Sequence, residues 1–447
     1  MSSYRDLRAA DVDAIIPSSW SACGGDAGAV PRDTDFYVHE YAAGARALAK
    51  KGSVTQRKNS IVSESLAEDM RAWRHDLHRH PEVGFEEQRT AKMVAEALDS
   101  FGLEVHTGIG QTGVVGVLQR GRQNRAIGLR ADMDCLLIQE QNTFDYRSVH
   151  TGKMHACGHD GHTSMLLGAA KHLAESDAFD GTVYFIFQPA EEHGAGALSM
   201  IDDGLFDRFS MESVYAIHNM PGIPVGRFAV RSGPIMSSED NFEIVIRGKG
   251  VHASMPHQGI DPIVIASEVV LAMQTIVSRS NNPVDVAVVS VTDISSDGTR
   301  NVIPTTATLR GDVRSYLPSV QADIERVMER IVSGICSAHG AEYDFSYTHD
   351  FIPTINSEVE TEAAIAAARR VLGDDNVTTD IPPATTSEDF ARMLLVKPGC
   401  YALIGNGGLE EGGCGLHNPH YDFNDDILTV GAAFWVSLDE TQFPPAH

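Results

Sequence analysis

The sequence lacks several features that would assign it to a specialised class of protein. Its 447 residues contain no apolar run of 18 residues and only six cysteines, none of them in a CxxC pair. The missing run argues against a membrane-spanning chain. A content of 43% apolar and 21% charged residues is typical of a globular protein rather than a disordered one. Single, dispersed cysteines favour a reduced setting over a disulfide scaffold.

Positive charge is scarce as well. Lys and Arg number 35 against 61 Asp and Glu, which gives a formal net charge of −26. This balance repels phosphate backbones and argues against nucleic acid as the main partner. Residues 1–20 also lack the basic-then-apolar pattern of a secretory signal. We therefore expect a cytoplasmic protein without a nucleic acid or membrane partner. Histidine, by contrast, is abundant at 19 copies.

The order of predicted elements indicates an α/β protein. Ser65 and Glu68 have the spacing of a capping box, and helical periodicity then continues to Pro81. Further along, short apolar runs alternate with helical segments, and this alternation predicts a largely parallel sheet.

From about Pro234 the pattern changes to strand, helix, two strands, helix, strand. This order is typical of a compact α+β sandwich. We expect the sandwich, residues 234–350, to be inserted into a discontinuous larger domain made of residues 61–233 and 351–447. Residues 1–60 are expected to form an N-terminal extension.

Metal-type ligands occur in five short segments, most of them following predicted strands. The segments are Asp132-Met-Asp134, His155-Ala-Cys157-Gly-His159-Asp-Gly-His162, Gln188-Pro-Ala-Glu191-Glu192, Ile217-His218-Asn219 and Gly415-Leu-His417. Ligand sites of open α/β sheets lie at the strand ends. Cys157 and His159, two residues apart in a stretch that we predict to be extended, would face the same way. A thiolate, three imidazoles and a carboxylate suit Zn²⁺, Mn²⁺ or Co²⁺ better than Ca²⁺ or Mg²⁺.

The adjacent residues Glu191 and Glu192 should have different roles. One can ligate metal while the other takes a proton from metal-bound water, which is the division of labour that hydrolysis needs. Five ligands exceed what one structural zinc uses, so a two-metal site with a bridging water is favoured. Asp132 and Asp134 would then orient imidazole ligands, with a bridging carboxylate as the alternative.

These motifs together resemble those of a known family. They include Arg130-Ala-Asp-Met-Asp134, the segment His155–His162, Phe187-Gln-Pro-Ala-Glu-Glu192, Ile217-His-Asn219, Gly248-Lys-Gly-Val-His252, Asn301-Val-Ile-Pro304, Gly311-Asp-Val-Arg314, Ser387-Glu-Asp-Phe390 and Gly405-Asn-Gly407. From about residue 61 to 440 the chain is similar to the dimetal metallopeptidase family of aminoacylases and glutamate carboxypeptidases. Within it, the motifs are most similar to the amidohydrolase branch, which contains hippurate hydrolases, N-acyl-amino-acid hydrolases and auxin-conjugate hydrolases.

The resemblance implies a zinc-exopeptidase-like catalytic domain with the inserted, ferredoxin-like sandwich as a lid and dimerisation domain. The implied reaction is hydrolysis of the amide bond of an N-acyl amino acid to a carboxylate and a free amino acid. The implied ligands of two divalent ions (Mn²⁺, Zn²⁺ or Co²⁺) are Cys157, His159, Glu192, His218 and His417.

The resemblance also implies roles for four further residues. Glu191 would be the general base that activates the water between the ions. His252 would stabilise the oxyanion, either in its own subunit or in the partner subunit of a homodimer or higher homo-oligomer. Asn301 and Arg314 would face the substrate, with Arg314 holding the free carboxylate of the amino acid.

Two departures from the family pattern leave the acyl group and the amino acid open. Cys135-Leu-Leu137 stands where Ala-Leu-Pro is usual, and His193-Gly-Ala195 stands where the family is rich in glycine. The main alternative within the family is a metallo-dipeptidase or carboxypeptidase.

Two alternatives lie outside metal-dependent hydrolysis. A thiol hydrolase with Cys157 as nucleophile and His159 as base would leave three further ligands unexplained. A non-catalytic relative that keeps the fold should have lost the base or a ligand, yet all six residues are present.

Overall fold

The computed structural model describes residues 61–408 and 414–444. The predicted N-terminal extension, residues 1–60, lies outside these ranges. In the described part of the chain the α-helices are α1 (Glu64–Arg79), α2 (Gln88–Ser100), α3 (His159–Ala174), α4 (Gly196–Asp202), α5 (Leu205–Arg208), α6 (Pro262–Thr275), α7 (Pro318–His339), α8 (Glu358–Leu372), α9 (Ala391–Leu394) and α10 (Leu428–Gln442).

The strands belong to one large sheet, one four-stranded sheet and two short ribbons. They are β1 (Glu104–Ile109), β2 (Gly113–Arg120), β3 (Ala126–Asp132), β4 (Gly181–Gln188), β5 (Ser213–Pro221), β6 (Phe228–Ala229), β7 (Gly233–Met236), β8 (Glu239–Arg247), β9 (Val251–His252), β10 (Ala287–Ser296), β11 (Val302–Ile303), β12 (Thr306–Ser315), β13 (Glu342–Phe351), β14 (Thr354–Asn356), β15 (Val377–Thr378) and β16 (Gly399–Gly407).

The large sheet has the order β1-β2-β4-β3-β5-β16-β6-β15. Its centre is parallel, from β4 through β3 and β5 to β16. The pairs β1–β2, β2–β4 and β6–β16 are antiparallel. The α/β class is therefore confirmed, but the sheet is mixed rather than largely parallel. A short turn joins β1 to β2, and such a turn can only connect antiparallel neighbours.

The helices place most of the apolar core against this sheet. Strands β3 and β5 are buried along their whole lengths, as expected for strands covered on both faces. Helix α3 packs against α1 and α10 and is buried over nearly all of its length. This buried helix begins at the metal-type ligand His159, so the core itself fixes that residue.

Helix α1 begins differently from the predicted capping box. Its N-cap is Ser63, whose Oγ accepts a hydrogen bond of 3.2 Å from the backbone N–H of Leu66. Ser65 lies inside the first turn, so the box predicted from Ser65 and Glu68 is wrong. Two serines in neighbouring positions offer alternative caps, and the extended backbone of Ser63 decides between them.

The four-stranded sheet is antiparallel and has the order β10-β12-β8-β13. Helices α6 and α7 pack on it, and the chain order of strand, helix, two strands, helix, strand is the one predicted. Its hydrophobic core is separate from the clusters that surround the large sheet. Separate cores support the predicted boundaries of an insertion at residues 234–350, which stay a prediction.

One side of helix α6 is apolar and exposed. Val264 and Leu271 are 55% and 73% exposed, whereas Ile265 and Val269 are buried in the core of the four-stranded sheet. With the π-helical turn that follows it, the stretch Pro262–Ser280 could cross a membrane by length and composition alone, which is weak evidence.

Candidate metal centre

Three parallel strands bring four of the predicted site residues to one edge of the large sheet. Asp132 is the last residue of β3, and Glu191 and Glu192 follow the end of β4. His218 lies on β5, which pairs with β3 on its other side from β4. The predicted convergence at strand ends therefore rests on the parallel part of the sheet.

Cys157 and His159 approach each other through a turn. Gly158 between them has a φ of 100° and precedes helix α3, which His159 begins. A β-carbon at residue 158 would collide with the side chains of Asn219 and Tyr421. Only glycine combines this left-handed backbone with so little space. The prediction of an extended stretch at Cys157 is thus wrong, although the two side chains do meet.

The five ligand-type side chains lie in overlapping groups whose ligand atoms are within 4.8 Å of one another. One group is Cys157, His159 and His218, and another is Cys157, Glu192 and His417. Cys157 Sγ lies 3.4 Å from His218 Nε2, and His417 Nε2 lies 3.4 Å from Glu192 Oε1. Two groups that share Cys157 offer enough donors for two neighbouring ions.

The cluster also has the electrostatic character of a cation site. His159 Nε2 and Glu192 Oε1 are buried without a hydrogen-bond partner among the described residues. Leaving such atoms unsatisfied costs about 1–3 kcal/mol each, and a bound cation would satisfy both. Burial alone would lower the pKa of His159, but Asp132 and Asp134 raise it to about 10. These surroundings favour positive charge, and the mixed S, N and O donors fit Zn²⁺, Mn²⁺ or Co²⁺.

Asp134 and Asp132 hold the imidazoles of the cluster. Asp134 Oδ1 lies 3.1 Å from His159 Nδ1, and Asp134 Oδ2 accepts a hydrogen bond of 3.0 Å from the Glu192 N–H. Asp132 Oδ1 lies 2.6 Å from His162 Nδ1. The contact of Asp134 with His159 fits the predicted orienting role. Asp132 instead holds His162, which is not one of the predicted ligands, and both roles stay predictions.

Glu191 has different neighbours from Glu192, although a carboxylate oxygen of each lies within 4.8 Å of the other. It is buried, and its Oε1 accepts a hydrogen bond of 3.3 Å from the backbone N–H of Asp389. Burial and the neighbouring carboxylates of Glu388 and Glu192 raise the pKa of Glu191 well above its usual range. A raised pKa is the direction that suits a general base.

The backbone is strained at two points of the site. Ala190 and His417 have φ values of 50° and 62°, in the left-handed region that residues with a β-carbon rarely adopt. Such strain costs of the order of 1–3 kcal/mol and persists only where neighbours hold it. The Ala190 N–H donates to Glu87 Oε1 and the His417 N–H donates to Ala156 O, each at 2.8 Å. Glu87 has no predicted role, because its sequence position indicates only the start of a helix.

His252 and Asn301 lie together on the inserted domain rather than at the metal centre. Strand β9, which carries His252, pairs with β11, and the Ala253 N–H donates to Asn301 O at 3.0 Å. Both side chains are exposed. Among the described contacts of this single chain, none joins either residue to the ligand cluster.

Arg314 is surrounded by acidic groups of its own chain. Its guanidinium lies 2.8 Å from Glu239 and 2.9 Å from Asp312, and it donates to Ser387 Oγ at 2.7 Å. Pairing with Asp312 is what a purely structural strand arginine would show.

Three buried charged residues beside Glu191 have no predicted role. They are Arg130, Glu388 and Asp389, at most 2% exposed. The available signal is a charged residue directly after an apolar run, since Arg130 follows Leu129 within β3, whose every position is buried.

Comparisons with known proteins find one family and several similar proteins. The family model of Peptidase family M20/M25/M40 matches residues 128–440. A hippurate hydrolase of Campylobacter jejuni is 40% identical over 82% of this chain and 94% of the relative. Thermostable carboxypeptidase 1 of Saccharolobus solfataricus is 38% identical over 80% and 91%. A dinuclear metal-binding peptidase of family M20 from Bacillus subtilis is 32% identical, with a TM-score of 0.75 over 85% of this chain and 99% of that structure.

Proposed function

We propose that this chain, which belongs to peptidase family M20/M25/M40, cleaves N-acyl amino acids to a carboxylate and a free amino acid. As a member of that family it is a hydrolase of amide bonds; the substrate and the mechanism are the proposal. One observation carries the proposal: the buried carboxylate of Glu191 lies within 4.8 Å of ligand atoms of His159 and Glu192. The hippurate hydrolase relative, named for an N-acyl amino acid, supports the substrate class.

The residues divide into ligands and a base. Two divalent ions would be held by Cys157, His159, Glu192, His218 and His417. When bound, such ions act as Lewis acids that polarise a carbonyl and lower the pKa of water. Glu191 would take the proton from the attacking water and deliver it to the leaving amino nitrogen. Since Oε1 of Glu191 accepts the Asp389 N–H, Oε2 is the atom that would hold this proton.

A substrate screen tests the proposal. N-acetyl, N-benzoyl and indole-acyl amino acids, together with unblocked dipeptides, would be incubated with Mn²⁺, Zn²⁺ and Co²⁺ added separately. We expect release of free amino acid from at least one acyl class, faster than from the dipeptides. Faster cleavage of the dipeptides would favour a peptidase, the alternative that the carboxypeptidase relative supports. No cleavage by protein that carries its metal would indicate a non-catalytic relative.

Arg314 should decide whether the substrate carboxylate is recognised. Esterifying that carboxylate should reduce kcat/KM sharply in wild type, because a planar guanidinium pairs with a carboxylate at two points. The same esterification should matter little in Arg314→Leu, which lacks the charged partner. Arg310→Leu is a matched control, because Arg310 lies on the same strand with its own pair of acidic neighbours. If wild type and Arg314→Leu discriminate equally between acid and ester, Arg314 does not bind the substrate carboxylate and has only a structural role.

We also propose a homodimer that forms through the exposed face of α6 and strand β10. Strand β10 is an edge of the four-stranded sheet, and Val286 beside it is 57% exposed. Open strand edges with apolar surface favour pairing with another chain. A second copy could also bring His252 and Asn301 to the substrate, since among the described contacts of their own chain none joins them to the ligand cluster.

Sedimentation measurements test this interface. Wild type should sediment as a dimer, and Leu271→Glu should shift it to a monomer, because a charge on this apolar face opposes its burial. Val359→Glu is a matched control, since Val359 is 74% exposed, close to the 73% of Leu271, but lies on α8. A monomeric wild type would contradict the proposal.

We also propose a cytoplasmic location. The five free cysteines among the described residues support it, and fractionation of cells would test it.

A further inference from the structure

A buried cluster of charges lies directly behind Glu191. Its centre is Arg130, which is 1% exposed. The guanidinium of Arg130 donates to Gln188 at 2.9 Å, Asp132 at 2.8 Å, Glu388 at 2.8 Å and Asp389 at 3.1 Å. Buried charges are retained at a large desolvation cost, so a cluster this complete beside a base calls for a reason.

Asp389 is the member of the cluster that touches the base. Its Oδ1 accepts from Gln188 Nε2 at 2.7 Å and from Arg130, and its Oδ2 accepts from the Ala197 N–H at 2.8 Å. Both oxygens are thus held by groups that are themselves buried. The backbone N–H of the same residue donates to Glu191 Oε1. Fixing the Asp389 carboxylate therefore fixes the donor that holds Glu191.

The segment before Asp389 is anchored as well. The Ser237 N–H donates to Ala384 O at 3.1 Å and to Thr386 O at 3.0 Å. Ser387 Oγ accepts from Arg314 on strand β12 of the inserted domain. The peptide that carries the Asp389 N–H is therefore restrained on both sides, and its position relative to Glu191 is well defined.

We propose that Asp389 is a positioning residue for Glu191, acting through its own backbone N–H. This donor holds Oε1 and leaves Oε2 free of that hydrogen bond, so Oε2 is the oxygen that would take the proton beside the ligand cluster. The inference rests on the proposed function, because it takes Glu191 as the general base. Asp389 itself need not touch substrate or metal.

Asp389→Asn tests this role. The carboxamide replaces one accepting oxygen with an NH₂ group. This NH₂ group would face a donor that now has no acceptor, so the segment that contains residue 389 should shift. A misplacement of about 1 Å can cost about 100-fold in rate, and we expect kcat to fall by about 10–100-fold. KM and metal content should stay within about twofold of wild type. Asp439→Asn is the matched control, since Asp439 is a buried acid on α10, away from this cluster, and should leave kcat unchanged.

A double-mutant cycle separates positioning from a general structural effect. In a Glu191→Gln background, measured at high enzyme concentration, Asp389→Asn should cause no further fall in kcat. An equal fall in both backgrounds, or an unchanged kcat in the single variant, would overturn the proposal.

A second, milder variant tests the same role if Asp389→Asn does not fold. Gln188→Met removes one donor to Asp389 Oδ1 and one acceptor of Arg130 but keeps the Asp389 carboxylate. It should lower kcat less, again only when Glu191 is present. An equal effect with and without Glu191 would overturn the inference. The proposed function fails by a different result, namely no release of amino acid from any N-acyl substrate by wild-type protein that carries its metal.

Discussion

Replacing Glu191 with glutamine should lower kcat by about 10²–10⁴-fold, the range that a general base contributes. The amide has nearly the same shape, but it cannot accept a proton from the attacking water. Because the amide oxygen can keep the hydrogen bond from the Asp389 N–H, the ligand atoms should stay in place. Elemental analysis should therefore find the metal content of wild type.

The matched control is Glu140→Gln. Glu140 is also a nearly buried glutamate, but it pairs with His78 rather than with the ligand cluster. This variant should lose some stability and keep kcat. A Glu191→Gln enzyme with bound metal and near-wild-type kcat would show that Glu191 is not the base.

Replacing Cys157 with alanine should lower the metal content and the activity together. A thiolate supplies charge to both overlapping ligand groups, and a methyl group cannot. Loss of a supporting residue typically costs 10–100-fold in metal affinity, and loss of a shared ligand should cost more than about 100-fold.

The matched control is Cys336→Ala, which removes a buried free thiol from helix α7 of the inserted domain. It should reduce stability slightly and leave the metal content unchanged. Two full equivalents of metal in Cys157→Ala would contradict the ligand assignment.

Local patterns predict most of the fold, and the exceptions have physical causes. Helix α10 is not predicted from the sequence. It is buried on nearly every side, so its sequence shows no amphipathic period. Strand β1 is not predicted because several of its residues are exposed without regular alternation. The antiparallel edge of the large sheet depends on a turn, which hydrophobic periodicity does not report.

Only part of the ligand cluster follows from the predicted strands, since Glu192 comes after β4 and His218 lies on β5, whereas Cys157 and His159 are placed by a turn before helix α3. The adjacency of Glu191 and Glu192 implies different roles, but only the tertiary contacts place Glu192 beside His417 and Glu191 beside Asp389. About two hundred residues separate Glu191 from Asp389 in the chain. A contact between residues so far apart in the sequence has no local sequence pattern. The hydrogen bond from Asp389 to Glu191 can therefore be seen only in the folded structure.

The most direct test of metal-dependent hydrolysis is to strip the protein with a chelator and restore one ion at a time. Release of free amino acid from an N-acyl substrate would be measured as Mn²⁺, Zn²⁺ or Co²⁺ is added back. We predict no release from the stripped protein, and activity that rises to a maximum at two equivalents per chain. Mild alkylation of accessible thiols should leave that maximum unchanged. Full activity in the stripped protein, or its loss on alkylation alone, would contradict the account.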